Sequence, residues 1–215
     1  MVKIVSYYTR GTPYEQEAVS LREACIRVGA DYHIEALDSL GRWDRNCCLK
    51  PLFLLEQLRR WHQPILWVDS DAMVLQKPQL TLECDLAVHM DPDLPWGHLA
   101  KVNTGTIYIA PTKNAEALIE EWHACCERCL NDPDFPEVWD QMCLQLLLPR
   151  KGVEPLPMGY CGVFDCDRDL ALPREQLFIL QTQASRAYKK IVNGTLTSSL
   201  VDGLTIEERR QMRRW

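Results

Sequence analysis

Two aspartates with one serine between them follow a run of apolar residues: Pro64-Ile65-Leu66-Trp67-Val68-Asp69-Ser70-Asp71. An apolar run of this length reads as a buried strand. A break at Ser70 then lets both carboxylates reach one point beyond its end. In open α/β sheets that end, the carboxyl end of the strands, is where ligands bind. Paired carboxylates with open positions suit a hard divalent cation, magnesium or manganese, which keeps water and substrate phosphate as its other ligands. Other Asp-x-Asp pairs occur at Asp91/Asp93, Asp132/Asp134, Asp165/Asp167 and Asp167/Asp169. Each of these reads as a solvated turn, since Asp and Pro are turn formers. Only Asp69 and Asp71 sit between a buried strand and a second apolar run, Ala72-Met73-Val74-Leu75, with Pro78 beyond it.

The elements that must position this pair follow from periodicity. Residues 2–8 read as a buried strand carrying Val2, Ile4, Val5 and Tyr7. Thr12 is the expected N-cap and Pro13 the first-turn residue of a helix with Ala18, Leu21, Cys25 and Val28 on one face, stopping at Gly29. Tyr32 to Leu37 is a second strand, Asn46 to Trp61 a helix with Leu52, Leu54, Leu55 and Leu58, and Pro64 to Val68 a third strand. Strand and helix in alternation imply a parallel sheet with helical crossovers. Further on, 85–90 and 105–110 read as strands, Ala115 to Leu130 and Val138 to Leu148 as helices, Leu177 to Leu180 as a late strand and Ser185 to Val192 as a basic helix.

Length and composition bound the function. The chain has 215 residues, 47% hydrophobic and 25% charged, which suits one large α/β domain with a substantial core. Lys plus Arg number 24 against 30 Asp plus Glu, a formal charge of −6. That excludes a bulk-basic nucleic-acid binder and leaves room only for a local basic patch. The first residues show neither a signal peptide nor a membrane span, so the expected location is cytoplasmic. Ten cysteines then read as reduced core thiols rather than disulfides. A zinc site built on Cys125, Cys126 and Cys129 would need a second pair, from Cys161/Cys166 or Cys47/Cys48, but Cys161 and Cys166 have four residues between them and Cys125 and Cys129 fall on an apolar helix face. Core thiols are the preferred reading.

The segment Ile65-Leu66-Trp67-Val68-Asp69-Ser70-Asp71-Ala72-Met73-Val74-Leu75, with Lys77-Pro78 after it, resembles the Asp-x-Asp segment of glycosyltransferases of the GT-A, nucleotide-diphospho-sugar transferase type. Further pieces fall in that family's order between residue 2 and about 186. Asn103-Thr104-Gly105 leads into a strand, a helix contains Trp122, and Trp139-Asp140-Gln141 is similar to the family's acceptor-side Asp-Gln. Tyr7-Tyr8-Thr9 stands where the first strand meets the nucleotide base, and Lys50-Pro51 matches a lysine that faces donor phosphates. The resemblance implies a single GT-A-like (Rossmann-like) α/β domain with a central, mostly parallel mixed sheet flanked by helices. Residues 1–102 would form a nucleotide- and metal-binding half, 103–192 an acceptor half and 193–215 a C-terminal tail.

It implies a hexosyl- or pentosyltransferase using a nucleotide-diphosphate sugar, with uracil favoured over guanine as the base. Asp69 and Asp71 would hold manganese or magnesium. Gln181 stands where many relatives place a late histidine ligand, a departure that weakens the expected metal site. Tyr8, Thr9, Lys50, Asp69, Ser70 and Arg186 are the expected donor contacts, with Lys189 and Lys190 as further cations. Trp96, His98, Asn103 and Thr104 are the expected acceptor contacts, with Trp96 and His98 forming a lid loop. Asp140 and Gln141 are the catalytic candidates. Asp140, then Asp165 and Asp91, would serve as base in an inverting enzyme; Asp140 or Gln141 would lie near the sugar's reactive face in a retaining one, the pattern the sequence is closer to.

Each of these residues also has a plainer reading: Lys50 as a solvated helix lysine, Asp140 as a helix-N-terminal carboxylate, Asn103 as a turn residue, Trp96 as a packed loop aromatic. The acceptor stays open among a glycan, a protein, a lipid-linked sugar and a modified nucleic-acid base. The tail, Glu207 to Trp215, reads as a solvated terminal helix, or as a weak dock for anionic lipid or nucleic acid. Asn193-Gly194-Thr195 matches a glycosylation acceptor, of little meaning in a cytosolic chain. Other functions remain in play. A haloacid-dehalogenase-type phosphohydrolase would use Asp69 as nucleophile and Asp71 as acid, but Met73 stands where its motif wants Thr or Val, and two strands precede the pair. A non-catalytic nucleotide-sugar-binding module, or a nucleotidyltransferase with Thr9-Arg10-Gly11-Thr12 as its only phosphate-loop approximation, completes the set.

Overall fold

The structure is a computed structural model and describes residues 2–98, 100–135 and 137–194. Thr195 of the Asn193-Gly194-Thr195 triplet and the basic tail of residues 207–215 lie outside the described residues. The chain opens with β1 (Lys3–Thr9), α1 (Tyr14–Val28), β2 (Tyr32–Leu37), α2 (Trp43–Cys47), α3 (Lys50–Trp61) and β3 (Ile65–Val68). Next come β4 (Met73–Val74), β5 (Leu86–Met90), β6 (Val102–Ile109), α4 (Lys113–Leu130), α5 (Asp140–Gln145) and β7 (Val153–Pro155). The last described elements are β8 (Gly162–Val163), α6 (Asp167–Leu170), β9 (Ile179–Gln181) and α7 (Ser185–Val192).

The main sheet has the order β2-β1-β3-β6-β5-β7. β1 pairs in parallel with both β2 and β3, as the alternation of strand and helix implies. β6 is antiparallel to both of its neighbours, so it alone runs against the other five strands. The consequence is local to the site. The carboxyl ends of β1 and β3 and the amino end of β6 meet at one edge, which brings Thr9, Asp69 and Asn103 together. Alternate residues feed the two faces of the sheet, as the period of two requires. Val5, Tyr7, Ile65, Trp67, Ile107 and Ile109 pack under α3, α4 and α5. Ile4, Leu66, Val68 and Tyr108 pack against α1. Trp67 and Trp122 are fully buried and are the largest side chains of the first layer; truncating a side chain of this kind costs about 3–5 kcal/mol.

A second, small sheet, β4-β9-β8, closes the site from the other side. Met73 pairs with Leu180 and Val74 with Ile179 in antiparallel register, so the chain leaving Asp71 runs beside the chain arriving at Gln181.

Several expected boundaries move. The helix expected over 46–61 is two helices, because Pro51 starts a new one at its first turn. That break turns Lys50 inward to 5% exposure, so Lys50 is not a solvated helix lysine. Thr12 does not cap α1; Pro13 holds the cap position and the Thr12 hydroxyl donates to the Thr9 carbonyl at 2.7 Å. Gly29 does end α1, in the left-handed region at φ 65°. β6 begins at Val102, so Asn103 is a strand residue rather than a turn residue. The helix expected over 138–148 is shortened to α5, with Leu146 62% exposed just past its end. Among the described residues no helix is long and apolar enough to cross a membrane.

Candidate active site

A cleft of about 390 Å³ opens at the shared strand edge. Its floor is Asp69, Ser70 and Asp71 after β3, Asn103, Thr104 and Gly105 on β6, and Asp140 and Gln141 at the start of α5. Tyr8 and Thr9 at the end of β1 form one wall, while Gln181, Gln183, Ser185, Arg186 and Lys189 form the opposite one.

The polar centre is Lys50. Its Nζ lies 2.8 Å from Asp140 Oδ2 and 3.1 Å from Asp69 Oδ1. It also donates to the carbonyl and hydroxyl oxygens of Thr104, at 3.2 and 3.3 Å. Burial works against the lysine's charge, but the Asp140 and Asp69 carboxylates outweigh it and hold the ammonium well above the usual lysine range. Asp140 Oδ2 accepts a second bond from the Thr104 hydroxyl at 2.8 Å, and the Asp140 carbonyl accepts from the Trp122 indole at 2.7 Å. Asp140 is therefore more than a helix-end carboxylate: it joins α5 to α3, α4 and β6.

Asp69 Oδ1 accepts from the Trp67 indole at 2.8 Å. Burial pushes its carboxyl up to about 6; Lys50 pulls it down, while Asp71 and Asp140 push it up again. Three carboxylates facing one ammonium leave an excess of negative charge on the floor, and that excess attracts a cation. Asp71 is anchored differently. Its Oδ2 accepts from the Ala184 amide at 2.6 Å, and its carbonyl accepts from the Thr182 hydroxyl at 2.8 Å. These bonds tie Asp71 to the segment leading into α7, where Gln183 stands in the left-handed region at φ 56°, a strained position for a residue with a Cβ.

Gln181 is 2% exposed, and its Nε2 donates to the Thr106 hydroxyl at 2.8 Å. With the amide so placed, Oε1 lies over Gly105. A Cβ at Gly105 would stand 2.6 Å from Gln181 Cδ and 2.7 Å from Oε1. Glycine is required there so that the amide can approach. We expect Gly105→Ala to lower stability by about 1–3 kcal/mol through overpacking. The double variant Gly105→Ala/Gln181→Ala should recover most of that loss in thermal unfolding. Equal losses in the single and double variants would disconnect the two residues.

Aromatic residues line the rim. Tyr14 accepts from the Trp43 indole at 3.1 Å and stacks edge-on with Tyr188. Lys189 binds Glu137 and lies 5.0 Å from the Trp43 ring and 5.5 Å from the Trp139 ring. The buried Trp139 indole N–H has no partner among the described residues. Sequence reasoning missed Tyr14, Trp43 and Gln183 as lining residues, whereas Lys189, expected as a further donor cation, does line the cleft; the aromatic at Trp43 in a polar stretch after Gly41 was the one available signal.

Trp96 and His98 do not line the cleft. Trp96 is 44% exposed and faces Lys101, and His98 bonds within its own loop. Asp91 pairs with Arg168, and Asp165 with Arg186, so neither alternative base reaches the floor. Cys161 packs on the α1 face of the sheet, away from Cys125 and Cys129.

No family model matches the sequence, and no curated protein does. Solved structures do match in shape. A glycosyltransferase involved in glycosylation of the major capsid of PBCV-1 superposes with a TM-score of 0.64 at 15% identity, covering 100% of this chain and 99% of that one. The apo form of the glycosyltransferase GlyE of Streptococcus pneumoniae TIGR4 gives 0.59 at 14% identity, and this chain spans 59% of its length. The galactosyltransferase LgtC, solved with donor and acceptor sugar analogues, gives 0.54 at 12% identity over 98% of this chain and 100% of that one. At these identities the likeness establishes the fold: a mixed α/β sheet flanked by helices, shared with glycosyltransferases.

Proposed function

We propose that this chain is a glycosyltransferase that moves a sugar from a nucleotide-diphosphate sugar, a UDP-sugar by preference, to an acceptor hydroxyl. One observation carries the reading. The Asp69/Asp71 pair, Lys50, Asp140 and Gln181 come from four separate stretches of chain and converge on one cleft, at the strand edge of a fold shared with glycosyltransferases.

The donor set fits a hard divalent cation, since it consists of two carboxylates and an amide carbonyl over a glycine cradle, all oxygen. Asp69, Asp71 and Gln181 would hold manganese or magnesium, which supplies positive charge against a departing diphosphate. The rest of the work falls to the chain's own groups. Lys50 holds Asp69 and Asp140 at fixed spacing, so it is a positioning residue rather than a phosphate contact. Arg186 and Lys189 are the cations on the outer wall that suit the phosphates. Tyr8, Thr9 and Ser70 border the donor side, and the rim aromatics offer flat faces to a base or sugar ring. Asn103, Thr104 and Gln141 face the space left for the acceptor.

Retention of configuration is the proposed stereochemical outcome. An inverting enzyme needs a carboxylate base within reach of the acceptor hydroxyl. Among the described residues the acidic groups lining the cleft are Asp69, Asp71 and Asp140, and each is already bonded to Lys50, an indole or a backbone amide.

The test is release of nucleoside diphosphate from a panel of UDP- and GDP-sugars, with and without manganese, in the presence of simple sugar acceptors. Metal-dependent release from one nucleotide-sugar class is expected. Inertness to every nucleotide-sugar, together with phosphate release from a simple phosphate ester, would replace this reading with the phosphohydrolase.

A further inference from the structure

Half of the chain's ten cysteines meet behind the cleft. Cys125 and Cys129, four residues apart on the inward face of α4, meet Cys143 of α5, and the three sulfurs lie within 4.8 Å of one another. All three are buried. Cys126, the residue after Cys125 on α4, is buried in the same core layer. Cys48, which precedes α3, packs in the same core layer.

Weak S–H bonds are a poor reason to gather so much polarisable sulfur at one point in an apolar layer. A tetrahedral zinc with bonds of about 2.3 Å sets its sulfurs about 3.8 Å apart. Three sulfurs already within 4.8 Å reach that spacing through small side-chain rotations. Sequence spacing failed to reveal the set because it pairs a Cys-x-x-x-Cys on one helix with a single cysteine on the next, rather than two Cys-x-x-Cys pairs.

We propose that Cys125, Cys129 and Cys143 form a thiolate site for a soft divalent cation of the zinc class, with the buried Cys126 as candidate fourth ligand. Binding replaces the thiol protons with the metal and releases them to solvent. Three thiolates around a dication leave one negative charge, and Arg128 on the same helix acts on Cys125 with the opposite sign. The site is separate from the carboxylate floor, but it joins the two helices that set Asp140: α4 through Trp122, and α5 at its first residue. A metal there would fix the start of α5.

The experiment uses the full chain, reduced and freed of metal, titrated with cobalt(II) and then zinc. The expected result is a sulfur-to-cobalt charge-transfer band that saturates at one cobalt per chain, is displaced by zinc, and is accompanied by a rise in Tm. The band should persist in Asp71→Asn, which separates this site from the carboxylates, and in the remote control Cys25→Ser. It should vanish in Cys143→Ser. If that variant does not fold, Cys129→Ala is the second probe, and the wild-type titration stands by itself. A folded wild-type chain with no charge-transfer band and no Tm shift would overturn the proposal and leave five reduced core thiols. A band that survives both cysteine variants would overturn the assignment of ligands.

Discussion

Asp71→Asn should lower kcat/KM for transfer by about 10²–10³-fold while the chain still folds. Asparagine keeps the shape of the side chain and one carbonyl oxygen. That oxygen can still accept from the Ala184 amide, now at 2.6 Å, so the tie between β4 and α7 survives. What is lost is a negative charge at the cleft floor, and an NH₂ replaces the other carboxylate oxygen. Removing one preorganised group that stabilises developing charge costs about 2.7–4 kcal/mol of transition-state stabilisation, the source of the expected factor. The readouts are initial rates with manganese and the Tm of the variant. Full activity in Asp71→Asn, or a collapsed Tm, would contradict the division of labour between its two oxygens.

Lys50→Met should be the most destabilising single change on the floor. Its side chain is 6% exposed, and its ammonium sits between Asp69 and Asp140 at 3.1 and 2.8 Å. Methionine fills similar volume but leaves two carboxylates facing each other across a buried gap. Breaking a buried pair by removing one partner costs about 3–5 kcal/mol. For a chain of this size that corresponds to a fall in Tm of roughly 6–20 °C. The double variant Lys50→Met/Asp140→Asn should regain part of the loss, because one of the uncompensated charges is gone. Lys50→Arg should not rescue fully, since a planar fork does not fit where a compact ammonium meets acceptors from three directions. If Lys50→Met unfolds at the wild-type temperature, the lysine is not a strut and must be reassigned.

How far the sequence reveals this arrangement depends on the range of the interactions. Short-range signals read well. The apolar runs at Ile4–Val5 and Ile65–Val68 are strands, Gly29 ends α1, and Asp69 and Asp71 stand at the end of a strand as the spacing implies. Long-range partners did not read. Nothing near Lys50 announces that it will meet Asp140, ninety residues later in the chain, and from its own neighbours it looks like a solvated lysine. The early start of β6 was hidden because Asn103 carries a turn-former's side chain, while its position is decided by pairing with β5 across a bulge. Trp96 and His98 looked like a lid because sugar chemistry favours aromatics, but their loop is pinned by Lys101, which donates to the Asp91 carbonyl, and by the Arg168 pairs, away from the cleft. Cys143 joined the thiol group only when α5 packed against α4.

The most direct measurement is calorimetric titration of UDP into the wild-type chain, once with manganese and once with the metal chelated. Binding in the first case and its loss in the second are the predicted results, with Asp71→Asn behaving like the chelated protein. Equal UDP binding with and without metal, or none in either case while the protein remains folded, would contradict a metal-assisted nucleotide-sugar site at Asp69 and Asp71.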